Sequence, residues 1–60
     1  SNIFFLYQPK GKDSVSSGFV NKRLDVPAGV YDLKVRLERD ITYEAVKIEQ
    51  GRVTEISLPQ

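Results

Sequence analysis

Sixty residues with nine Lys/Arg, eight Asp/Glu and a formal charge of +1 leave room for one domain. That near-balance disfavours a surface built for nucleic acid or lipid headgroups. The chain has no cysteine and no histidine, so disulfides, thiolate and imidazole metal ligands and the commonest acid–base side chain are all excluded.

No apolar run approaches the roughly 20 residues of a membrane-spanning helix, and no span is expected. A chain of this length buries little surface on folding and usually needs a staple, a metal or a partner. With staples and thiolate metals excluded, residues 1–60 are expected to be a single module excised from a larger protein. Support would come from neighbouring domains or from a second subunit. Ser1-Asn2 has the look of a purification-tag remnant.

The first element in chain order is Ile3-Phe4-Phe5-Leu6-Tyr7. It is rich in β-favouring residues and apolar on both faces, as in a central strand or one that meets another chain. Pro9-Lys10-Gly11-Lys12-Asp13 is a polar loop with two breakers. Ser14 to Val20 is a weaker second strand with Val15, Ser17 and Phe19 on one face; Gly18 marks a possible bulge site. Leu24 to Val26 is a short third strand. Val26-Pro27-Ala28-Gly29 then has the residues of a type I turn.

From Tyr31 the chain alternates. Tyr31, Leu33, Val35 and Leu37 share one face; Asp32, Lys34, Arg36 and Glu38 share the other. That is a fourth strand, Val30 to Glu38, turned at Arg39-Asp40 into a fifth, Ile41 to Glu49. In the fifth strand Ile41 and Tyr43 have one parity, Val46 and Ile48 the opposite. One extra residue at Glu44-Ala45 reconciles them, so a β-bulge is expected there. The register that results pairs Ile41 with Leu37, Tyr43 with Val35, Val46 with Leu33 and Ile48 with Tyr31, and sets Asp32 opposite Lys47. Gln50-Gly51 turns the chain into a sixth strand, Arg52 to Leu58, ended by Pro59.

Short strands with turn signals between them predict an all-β fold, a small antiparallel β-sandwich of about six strands. The expected core is Leu24, Val26, Tyr31, Leu33, Val35, Leu37, Val46, Ile48 and Ile56.

Leu24-Asp25-Val26-Pro27-Ala28-Gly29-Val30-Tyr31-Asp32-Leu33-Lys34-Val35, followed by Val46-Lys47-Ile48-Glu49-Gln50-Gly51 and Ile56, resembles a known pattern, L-x-x-P-A-G-x-Y-x-[LV]-x-V … V-x-[IV]-x-x-G-x-x-x-x-[IVL]. It belongs to small β-sandwich modules: carboxypeptidase regulatory-like domains, PEGA domains and the β-modules beside some bacterial von Willebrand factor type A domains. The N-terminal residues depart from that pattern. The resemblance implies a non-catalytic accessory or adhesion-like module, commonly in exported bacterial proteins, and transfers no functional residue.

The residues offer little chemistry. The eight carboxylates mostly alternate with apolar neighbours, which places them on a wet face rather than in a catalytic pair. Ser14, Ser16, Ser17 and Ser57 have no histidine base. Gly11-Lys12-Asp13-Ser14 lacks the earlier glycine and the helix of a phosphate-binding loop. No loop gathers the several oxygen ligands calcium needs.

No enzyme activity, cofactor or metal is therefore expected. The expected function is interaction, adhesion or spacing within a larger bacterial surface or secreted protein. Its partners would be neighbouring domains or a second copy. Ile3, Phe4, Phe5, Leu6 and Tyr7 are the candidate contact residues, self-associating by edge pairing.

The alternative is a carbohydrate or single-stranded nucleic acid ligand held by Lys10, Lys12, Lys22 and Arg23 with nearby aromatics. That alternative requires the two basic loops to converge. An extracytoplasmic or cell-surface location follows from the resemblance; absence of cysteine suits the cytoplasm equally.

Overall fold

The computed structural model describes residues 2–58; Ser1 of the tag-like start and the strand-ending Pro59 lie outside them. Four strands form: β1 (Ile3–Tyr7), β2 (Ser14–Phe19), β3 (Gly29–Arg36) and β4 (Asp40–Ile48). They make one open antiparallel sheet in the order β2-β1-β3-β4. The chain is all-β as expected, but it is not a six-stranded sandwich.

The two missing strands explain the difference. Leu24 to Val26 and Arg52 to Leu58 carry no strand pairing. Their apolar side chains still find the core: Leu24, Val26, Ile56 and Leu58 pack against it. An extended segment lying across a sheet needs the same two-residue alternation as a paired strand, so periodicity does not tell them apart. Leu24 to Val26 is also short and runs into Pro27, which has no N–H to offer a ladder.

The sheet order dictates where that layer lies. Since β1 is antiparallel to both neighbours, β2 and β3 run the same way, and residues 20–28 must cross β1 to join them. They cross on the face of Leu6, Tyr31, Leu33 and Val35, the four buried side chains. The Tyr31 hydroxyl fastens the crossing by donating to the Pro27 carbonyl at 2.6 Å, as in a tyrosine corner. On the same face, the Phe4 ring lies over Gly18, its cross-strand partner. A Cβ there would come within 2.9 Å of the ring. Gly18 therefore marks a close approach, and the bulge in β2 falls at Val15 instead, between the Leu6–Ser16 and Tyr7–Ser14 pairs.

The bulge at Glu44-Ala45 is present, but the hairpin register differs by two residues from the expected one. Ile41 pairs with Val35, Tyr43 with Leu33, Val46 with Tyr31 and Ile48 with Gly29. A two-residue slide keeps every side chain on its face, so the apolar pattern fits both registers equally. Polar groups favour the observed one. It brings Asp40 beside Lys34 (3.5 Å) and Arg36 (4.0 Å). It also sets Asp32 against the bulge, where the Ala45 N–H donates to its carboxylate at 3.1 Å. Lys47 pairs with Val30, not with Asp32.

Candidate functional site

One face of the sheet is roofed by residues 20–28 and the C-terminal segment; the other is bare. On the bare face Ile3, Phe5 and Tyr7 project from β1, which is central. Each has one neighbour on β2 and one on β3. Ile3 lies between Phe19 and Arg36, Phe5 between Ser17 and Lys34, and Tyr7 between Ser14 and Asp32. Ile3, Phe5 and Tyr7 are half-buried and are not among the side chains packed on the core. Phe19 is 58% exposed and Val15 51%.

The result is an apolar stripe over β1 and β2, bordered by a charged half on β3 and β4. The whole molecule exposes 5004 Å². A compact monomer of 6.8 kDa is expected to expose about 3,950 Å². The surplus of roughly 1,000 Å² belongs to the whole chain and includes the exposed residues 8–15 and 49–55 as well as this face.

The sequence placed Ile3 to Tyr7 as contact residues, and the structure divides them. Phe4 and Leu6 point into the roofed face; Ile3, Phe5 and Tyr7 point out. Both backbone edges of β1 are already paired, so edge pairing through this strand is not available. The basic residues do not converge. Lys10 and Lys12 lie in the β1–β2 loop, whereas Lys22 and Arg23 follow the far end of β2, about 20 Å along a six-residue strand. Arg23 lies 3.8 Å from Asp25 in an exposed ion pair.

Asp32 is the residue whose role sequence reasoning missed. Its Oδ2 accepts from the Lys10 N–H at 2.8 Å, and its Oδ1 from the Ala45 N–H. Lys10 and Ala45 are both left-handed, with φ of +59° and +56°, a region that costs residues with a Cβ roughly 1–2 kcal/mol. Lys10 occupies the third position of the Gln8–Gly11 turn, which Gly11 N–H closes onto the Gln8 carbonyl at 2.7 Å. One carboxylate thus ties the β1–β2 loop and the β4 bulge to the middle of β3. The only sequence signal was the unpaired parity at Glu44-Ala45, which announces a free N–H but not its acceptor.

The two backbone donors, Lys10 first and Ala45 second, hold the Asp32 carboxyl below its ordinary value of 3.8. A depressed carboxylate stabilises the fold above its unfolded-state pKa and loses that contribution as pH falls through its folded-state value. Asp32→Asn is therefore expected to melt at a lower temperature than the parent at neutral pH. The gap should narrow as the pH drops below about 4. Thermal melts from pH 7 to pH 2 check this; a gap that stays constant with pH would assign the loss to something other than the charge.

Near this clamp, Tyr7, Lys12, Asp32, Lys34 and Thr42 line a shallow depression of about 270 Å³ that opens on the bare face. Among the described residues no group of three or more acidic side chains converges to hold a metal ion. No helix among them is long and apolar enough to cross a membrane. Comparison with protein-family models, curated proteins and solved structures finds no match. The likeness of residues 24–56 to small β-sandwich modules thus remains one of turn and strand motif.

Proposed function

We propose that this chain is a non-catalytic interaction module whose working surface is the bare face of its sheet. The observation that supports this most directly is the stripe of Ile3, Phe5, Tyr7, Phe19 and Val15, which the fold leaves without cover. Soluble proteins seldom leave a contiguous apolar patch unused. Aromatic side chains with few rotamers lose little entropy on docking and are typical of contact centres. The role within an exported or surface protein is proposed on the motif likeness alone.

Substituting the stripe tests the proposal. Below micromolar concentration, folded protein is expected to bind an anilinonaphthalene sulfonate dye. The Phe5→Thr/Phe19→Thr variant should lose most of that binding while keeping the parent's circular dichroism and melting temperature. Unfolding of the variant at that dilution would show that these residues serve the fold, and the proposal would fall. A second reading has one observation in its favour: Phe5 and Tyr7 lie beside Lys34 and Lys12 on the same face, the ingredients of a single-strand stacking platform. It predicts oligonucleotide binding that weakens steeply with salt.

A further inference from the structure

We propose that the outer edge of β2 takes an extended segment of another protein as an added strand. This edge is distinct from the bare face, and neither depends on the other.

The backbone of the edge is open. The sheet ends at β2, so among the described residues no strand pairs on its outer side. The Val20 N–H donates to the Asn2 carbonyl at 3.0 Å, and that bond fixes the phase of the β1–β2 ladder. In an antiparallel pair, successive residues turn their N–H and C=O groups alternately toward the partner and away from it. Ser16 and Gly18, paired with Leu6 and Phe4, therefore aim theirs at β1. Ser17 and Phe19, paired with Phe5 and Ile3, aim theirs outward. The Phe19 carbonyl is taken by the Lys22 N–H at 3.0 Å. Left open are the Ser17 N–H, the Ser17 carbonyl and the Phe19 N–H. The ligand that matches such a row of donors and acceptors is another extended backbone.

The edge is also unguarded. Native edge strands are commonly blunted by charge, proline or a bulge. β4, the other edge, carries Asp40, Glu44 and Lys47, and its bulge falls mid-strand with Ala45 left-handed. β2 reads Ser14-Val15-Ser16-Ser17-Gly18-Phe19, with no charged residue and no proline. Its bulge falls at Val15 and leaves Ser16 to Phe19 regular. Its neighbour β1 carries no charge either.

The side chains indicate what kind of segment fits. Paired residues of adjacent strands project on the same face. A residue added beside Ser17 lies level with the bare face, and one two positions along covers Phe19, which is 58% exposed. The segment that fits is uncharged and β-favouring, with an apolar side chain beside Phe19. A second copy of this chain fits less well. Two β2 strands paired antiparallel about Ser17 set the Val15 bulge of each against the Phe19 of the other, and the ladder breaks at both ends.

Amide hydrogen exchange followed by NMR tests the proposal. The probe is the heptapeptide Glu-Thr-Val-Thr-Val-Thr-Glu, acetylated and amidated, with glutamates at its ends for solubility. In the free chain the Ser17 and Phe19 amides are expected to exchange fast, and those of Ser16 and Gly18 to be protected by β1. Millimolar peptide should slow Ser17 and Phe19 severalfold and leave Ser16 and Gly18 little changed. Ser17→Pro removes the central donor, at a position where an edge tolerates proline. It should keep the fold and weaken peptide binding about tenfold or more. A peptide N-methylated at its five central residues reads the same contact without altering the protein, and it should not bind. No protection at millimolar peptide, or equal binding by the N-methylated peptide, would overturn the proposal. Protection of Ser17 and Phe19 that grows with protein concentration in the absence of peptide would overturn it in favour of a second copy. Shifts centred on Ile3, Phe5 and Tyr7 while Ser17 still exchanges fast would lay the peptide across the bare face; the edge would fall and the contact surface would stand.

Discussion

Leu6→Ala is expected to leave the chain mostly unfolded at room temperature, while substitution of its neighbour Phe5 by threonine leaves the dilute protein folded. Leu6 is one of four buried side chains and lies at the centre of the sheet, paired to Ser16 on one side and Leu33 on the other. Truncating a buried leucine costs about 2–5 kcal/mol, including the cavity left behind. A single small core seldom supplies more than about 3–5 kcal/mol of net stability. One substitution therefore removes most of what holds the fold. Phe5 projects from the opposite face of the same strand, where nothing is packed over it, so its loss removes contact area with neighbours but opens no cavity. Urea titration followed by circular dichroism measures both. Equal losses from the two substitutions would mean that both faces of β1 are core, and that no bare face exists for a partner.

That contrast was only half legible in the sequence. A strand apolar at every position, as Ile3 to Tyr7 is, declares that both faces want cover but gives no parity by which to sort them. Leu6 was accordingly absent from the expected core. β3 and β4 were readable because they alternate regularly on either side of the bulge: their expected core residues, Tyr31, Leu33, Val35, Val46 and Ile48, are all buried or packed on the core. The bulge was readable for the same reason, as a break in parity. Sheet order was not, because it depends on residues 20–28 crossing β1, and pairing partners far apart in sequence leave no mark in a local pattern. The bare face follows from that order. Lys34 comes to lie beside Phe5 only because β1 pairs with β3, which no window on residues 30–38 reveals. The clamp at Asp32 was hidden similarly, since it joins residues 10, 32 and 45 through backbone donors that any amino acid but proline could supply.

The bulge also permits a paired deletion experiment in β4. Removing Ala45 is expected to preserve the fold, and removing Thr42, three positions earlier, to destroy it. Without Ala45, Glu44 alone separates Tyr43 from Val46, and both still face the core on an uninterrupted ladder. What is lost is one N–H donor to Asp32, together with the cost of a left-handed alanine. Without Thr42, Ile41 and Tyr43 become consecutive and must point to opposite faces.

Either choice after that deletion is expensive. If the hairpin end holds its place, the bulge absorbs the deletion: Val46 and Ile48 keep their face, but Tyr43 turns outward and Glu44 is carried opposite Leu33, which is 7% exposed. If the far end holds, Ile41 turns outward and Asp40 is carried opposite Val35, which is 2% exposed. Ile41 is only half-buried, so exposing it forfeits part of the about 1.5–3 kcal/mol of a fully buried isoleucine; either way an unpaired carboxylate reaches the roofed face, and in the second case Asp40 is also drawn away from Lys34 and Arg36. The sum meets or exceeds the stability that a core of this size supplies. Far-UV circular dichroism and the cooperativity of thermal melting separate the two deletions. If both melted alike, Ala45 would not be the residue that the ladder can spare.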